Sequence, residues 1–103
     1  MNRVEPINQS KQLFHLSKHA ERRACQRGVP KKIIELIQIY GEEIHRGGGG
    51  VVRFFSKKGL EFIYSELGRE EKEILKNKES AYIVENDGLV ITTGYLYKRV
   101  ISH

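Results

Sequence analysis

Between residues 18 and 28 the chain reads KHAERRACQRG, which sets His19, Arg22, Arg23 and Arg27 beside two alanines and the only cysteine. Placed on a helix with Ala20 as origin and about 100° per residue, Ala24 falls near roughly +40°, Arg27 near −20°, Arg23 near −60° and His19 near −100°. His19, Arg23 and Arg27 therefore border a small-residue stripe in one slanted row, while Arg22 points to the far side. Three cationic or potentially cationic groups at i, i+4 and i+8 repel one another on an isolated helix, so the fold or a ligand must compensate them. A phosphodiester is a ligand that such a row can serve. Guanidinium groups hold phosphate oxygens bidentately and stabilise charge developing on phosphorus, and histidine exchanges a proton near neutral pH. The structural alternative pairs Arg23 or Arg27 with Glu35, Glu42 or Glu43 and uses His19 to hold the helix to a backbone carbonyl.

Other residues could join or rival this row. Tyr95, Tyr97, Lys98 and Arg99 mix aromatic and cationic side chains in a way that could bind RNA by stacking and phosphate contact, although an ordinary terminal strand has the same look. Arg53, in register between Val51 and Phe55, sits on a strand that otherwise reads as buried, so it is either an edge residue or reaches toward the site. His15 and His19 have a spacing that can bind metal, but they straddle the expected helix start and lack nearby carboxylates or thiols, so no metal is expected. The run GGGG beside His45 lets backbone approach a ligand closely, yet neither GxxxxGK[ST] nor GxGxxG is present. No nucleophile-elbow motif supports a Ser/His/Asp triad, and no cofactor is implied.

The elements that must position these residues are marked by their caps. Ser17 is an N-cap for a helix over 18–27, which Gly28 ends, and Pro30 opens a second helix carrying Ile33, Leu36, Ile37 and Tyr40 until Gly41 stops it. Glu43–Arg46 and Val51–Phe55 read as short strands around the glycines. In SKKGLEFIYSELG, Leu60, Ile63, Tyr64 and Leu67 fall at helical spacing, with Ser56 as cap and Gly68 as terminator. REEKEILKNKES continues as a charged helix. AYIVENDGLVITTGYLY then gives two strands around Asn86-Asp87-Gly88, a hairpin signal. Strict alternation on the last strand puts Val90, Thr92 and Gly94 on one face and Ile91, Thr93 and Tyr95 on the other. The expected fold is a single α+β domain over 1–103. An N-terminal helical hairpin packs on a small, largely antiparallel four-stranded sheet with inserted helices, and residues 1–12 form a loosely held arm.

The chain has 103 residues, 39% of them hydrophobic and 30% charged, a globular rather than disordered balance with room for one core. Cys25 has no partner for an internal disulfide, and no run of about 18 apolar residues or signal-like segment occurs, so a soluble cytoplasmic protein with no membrane partner is expected. The net charge is +5, but eight lysines and arginines face only two acidic residues through Ile34. The whole excess lies in the N-terminal third, where it can attract phosphates.

HAERRACQRGV, followed by PKKIIELIQIYG, resembles a bacterial family of small proteins of unknown function (a DUF4258-like domain) with an H-A-x-x-R-x-x-x-R-G-[IV] signature before an amphipathic helix. DGLVITTGYLYKRV is similar to that family's tail, and the likeness spans roughly residues 17 to 100. The matched positions are His19, Ala20, Arg23, Arg27, Gly28, Thr92, Gly94, Tyr95, Lys98 and Arg99. Ala24 replaces a common methionine and Thr93 a common valine. By analogy of size and element pattern, such proteins are similar to RelE- and BrnT-like toxins, which are ribonucleases paired with antitoxins. The resemblance thus implies a metal-independent endoribonuclease with RNA as partner and an acidic antitoxin covering the basic face. In that scheme His19 is the general acid or base, Arg23 and Arg27 hold the scissile phosphate, Thr92, Tyr95 and Lys98 complete the pocket, and Arg53 and Arg99 add nucleic-acid contacts. The rival expectation is a non-catalytic nucleic-acid- or protein-binding module using the same face.

Overall fold

The computed structural model describes residues 15–96; the expected arm over 1–12, the continuation of the last strand, and Lys98 and Arg99 lie outside the described residues. Helices α1 (Lys18–Arg27) and α2 (Lys31–Tyr40) come first, followed by strands β1 (Glu42–His45) and β2 (Gly50–Phe54). Helices α3 (Lys57–Glu66) and α4 (Arg69–Leu75) are inserted before strands β3 (Ala81–Asn86) and β4 (Leu89–Tyr95). The sheet is wholly antiparallel in the order β1-β2-β3-β4. The α+β architecture with its helical insertion between the middle strands is therefore as expected.

The local chemistry explains the boundaries. Ser17 Oγ accepts from Ala20 N–H at 3.0 Å, and Gly28 takes the left-handed conformation at φ 67° that ends α1. Ser56 caps α3 in the same way, accepting from Gly59 N–H at 3.0 Å. Gly41 follows α2 where the chain folds back against β2: a Cβ there would lie 2.5 Å from Ile37 O and 2.9 Å from Phe54 O. Asp87 and Gly88, both at positive φ, form the two-residue turn between β3 and β4.

α1 lies on β4 and α2 on β3, with a smaller contact to β2. One apolar core joins Ala20 and Ala24 of α1, Ile33, Ile34 and Ile37 of α2, Leu60 and Ile63 of α3, Leu75 of α4 and Ile83 and Val90 of the sheet. Two expectations for α3 are corrected. Tyr64, placed on its apolar stripe by spacing, is exposed, and its phenol donates to Glu79. Loss of solvation, reinforced by the bond to Glu79 and its charge, pushes the Tyr64 pKa up to about 12. Helix α3 ends at Glu66 with Leu67 as its C-cap, and Gly68 is instead the N-cap of α4.

A polar chain crosses the helix-side face of the sheet. Glu85 is only 6% exposed and accepts from Arg53 Nε at 2.7 Å and Gln38 Nε2 at 2.6 Å. Arg53 Nη1 also lies 3.4 Å from Glu43, whose other oxygen is 3.0 Å from His45 Nε2. Arg53 therefore neutralises a carboxylate that burial would otherwise penalise. Arg53→Met is expected to lower unfolding stability by about 3 kcal/mol, because it strands Glu85 without its cation. Urea denaturation checks this, and a loss below about 1 kcal/mol contradicts the assignment.

Candidate functional site

The row of His19, Arg23 and Arg27 is positioned by the way α1 closes the edge of β4. At its start, Ser17 N–H donates to Val90 C=O at 2.9 Å and Val90 N–H donates to His15 C=O at 2.8 Å, a short parallel bridge centred on Leu16. At its end, Arg27 Nη1 donates to Thr93 C=O at 3.0 Å, and the Tyr95 hydroxyl donates to Gly28 C=O at 2.7 Å. Ala20 and Ala24, both buried, let the helix lie close to the strand. α1 thus runs alongside β4 in the same direction, and its polar border follows the strand edge.

Within the row, Arg23 Nε donates to His19 Nε2 at 3.2 Å and Arg23 Nη1 to Gln26 Oε1 at 3.1 Å. Since Nε2 accepts, this arrangement places the imidazole proton on Nδ1. The repulsion expected along the row is relieved by neutral acceptors rather than by carboxylates. The proposed pairing with Glu35, Glu42 or Glu43 does not occur: Glu35 lies 3.7 Å from Lys32, and Glu43 is held by His45 and Arg53. Among the described residues no ion pair involves Arg23 or Arg27.

Thr92 and Tyr95 are separated by the sheet. β4 bulges at Ile91, because Glu85 pairs with Val90 but Val84 pairs with Thr92. The bulge carries Val90 onto the helix side with Thr93 and Tyr95, and leaves Thr92 and Gly94 on the opposite face. Strict alternation, which grouped Val90 with Thr92, fails there. Thr93 is fully buried and donates to Tyr82 C=O at 2.7 Å. Arg27 bends around the edge to the Thr92 side: a Cβ on Gly94 would stand 2.8 Å from Arg27 Nη1, 3.2 Å from its Cδ and 3.3 Å from the Tyr82 ring. Gly94 is the close-approach position that leaves room for this arginine.

The structure therefore gathers His19, Arg23 and Arg27 along one border, with Thr92 on the face to which Arg27 turns. Tyr95 serves as an anchor for the end of α1. Partial burial holds its phenol above the usual pKa, so it remains a donor at neutral pH. Arg53 stands two strands from β4, inside its own ion-pair network. That network, with Glu85 and Gln38, was missed by sequence reasoning; its only sequence signal was the charged Arg53 on an apolar strand. Concavities of about 480 and 320 Å³ open elsewhere, one lined by Tyr64, Lys76, Asn77, Glu79 and Ser80, the other by His15, Leu16, Glu21, Lys31 and Leu89. The row lines neither of these. Among the described residues no helix is long and apolar enough to cross a membrane.

No protein-family model, no curated protein and no solved structure matches this chain. Tyr95→Phe is expected to cost about 1 kcal/mol of stability by removing the bond to Gly28. Because the folded-state pKa of Tyr95 is raised, that contribution is complete at neutral pH and is lost only as alkali ionises the phenol. Denaturation of the variant at neutral pH tests this, and stability equal to the unaltered chain contradicts the anchoring role.

Proposed function

We propose that the border of α1 along β4 is an RNA-binding face in which Arg23 and Arg27 contact phosphates. The observation that carries this is the state of Arg23: its guanidinium rests on His19 and Gln26, two neutral acceptors, so a phosphate meets a charge that no described carboxylate has neutralised. The concentration of positive charge in the N-terminal third supports it. Lys98 and Arg99 extend the same proposal toward the C-terminus. The DUF4258-like signature falls on this border, and under the toxin analogy an acidic antitoxin would compete with RNA for it.

Metal-independent cleavage is a second reading, favoured by the contact between Arg23 Nε and His19 Nε2. When Arg23 turns to a phosphate, Nε2 is freed as a base for a ribose 2′-hydroxyl. Nε2 takes the 2′-hydroxyl proton as that oxygen attacks phosphorus, and the 5′-oxygen leaves with a proton returned by the imidazolium, giving a 2′,3′-cyclic phosphate. The guanidinium groups stabilise the charge that builds on the phosphoryl oxygens. Thr92 lies on the side to which Arg27 turns.

Fluorescence anisotropy with a labelled RNA tests binding: affinity is expected to fall linearly with salt on logarithmic axes. Arg23→Ala should weaken binding about tenfold and reduce the salt slope by about one. Affinity unchanged in Arg23→Ala would remove the proposal. Incubation with mixed RNA in EDTA, followed by analysis of product ends, tests cleavage. Cyclic-phosphate ends from the unaltered chain but not from a folded His19→Gln support it, whereas RNA left intact by both leaves binding alone.

A further inference from the structure

The sheet has two edges, and the described residues close one of them. β4 is covered by α1, but among the described residues nothing pairs with the outer side of β1, whose four residues are all exposed. Unpaired N–H and C=O groups make such an edge a template for another strand. Ile44, at its centre, is 42% exposed.

The residue order along this edge is Glu42-Glu43-Ile44-His45-Arg46, acidic on one side of Ile44 and basic on the other. Laid antiparallel on a copy of itself about a two-fold axis through Ile44, the strand sets opposite charges together at Glu42 and Arg46 and apolar side chains together at the axis. Ile44 faces the partner's Ile44, Glu43 the partner's His45, and Glu42 the partner's Arg46. The backbone agrees with this register. Arg46 N–H donates to Gly50 C=O at 2.8 Å, in line with the β1–β2 pairing, and bonded pairs alternate along an antiparallel ladder. Glu42 and Ile44 thus turn their backbone groups toward β2, while Glu43 and His45 turn theirs outward. Those outward groups are the ones that the Ile44-centred register would join across the two copies.

Other registers fare worse. A two-fold axis perpendicular to the sheet keeps each residue on its own face, so a shift by one position is excluded. Centring the axis on Glu43 satisfies the backbone but sets Glu43 against the partner's Glu43, a like-charge pair. We infer that the chain associates with a second copy of itself through β1, forming a continuous eight-stranded sheet centred on the Ile44 pair. This does not depend on the RNA-binding proposal, because it uses the opposite edge of the sheet.

Neither Glu42 nor Arg46 takes part in an ion pair among the described residues, so they can be exchanged without breaking the Arg53 network. Sedimentation equilibrium of the full chain is expected to show a dimer. Glu42→Arg and Arg46→Glu should each weaken it about tenfold, since each places two like-charge pairs at the interface. An equimolar mixture of the two variants should recover the dissociation constant of the unaltered chain to within about threefold, because both contacts then join opposite charges. Recovery on mixing also shows that both variants fold. A monomer at every concentration up to about 1 mM, a dimer indifferent to both substitutions, or no recovery on mixing would overturn the inference.

Discussion

The edge of β4 is satisfied by a helix rather than by a full neighbouring strand, and the display of the cationic row depends on that substitution. Two backbone bonds bracket Val90 where the chain enters α1, and two side-chain bonds, from Arg27 to Thr93 and from Tyr95 to Gly28, hold its end. Each contributes only about 1 kcal/mol net, but leaving the groups unpaired at a covered edge would cost more. Ala20 and Ala24 permit the close approach, and the bulge at Ile91 turns Val90 inward beneath them. Tied at both ends, the helix has little freedom to rotate. His19 and Arg23 are thereby held along the rim of the sheet.

Arginines in this fold are used in two electrically distinct ways. Arg53 lies between Glu85 and Glu43, so its charge is consumed in making a buried carboxylate tolerable. Arg23 rests on neutral acceptors and keeps its charge available, while Arg27 spends one N–H on a carbonyl without losing its charge. The difference lies in the strand each residue reaches. Carboxylates cluster at the β1–β3 side of the sheet, whereas β4 offers α1 only carbonyls, hydroxyls and a glycine. The charge of Arg23 therefore survives at the β4 rim, whereas that of Arg53 is cancelled within the sheet.

Local rules carried much of the sequence reading. Ser17, Gly28, Pro30, Gly41 and Ser56 mark helix ends through caps and fixed dihedrals, and Asp87-Gly88 selects its turn, so the element order and the helical row were legible. Features set by distant partners were not. The bulge at Ile91 arises from the pairing of β4 with β3, and it moved Thr92 to the face opposite Tyr95. The Arg53–Glu85–Gln38 chain joins residues 32 and 47 positions apart, which no spacing rule connects. Tyr64 followed the apolar period of α3, yet it is exposed and its phenol donates to Glu79, a partner that helical spacing does not indicate. For the row itself, helical periodicity identified which residues lie together, but only tertiary contacts distinguished the tethered Arg27 from Arg23.

If the α1 border along β4 is the surface that meets RNA, as proposed, RNA must perturb that border and leave the β1 side of the sheet alone. Titration of an isotopically labelled chain with a short RNA, followed by amide and histidine-ring NMR shifts, tests it most directly. The account predicts saturable shifts confined to His19, Arg23, Arg27 and the neighbouring Thr92–Gly94 segment, with His45 and the β1–β2 strands unaffected. Shifts centred on β1 and β2, with those of α1 unchanged, would contradict it.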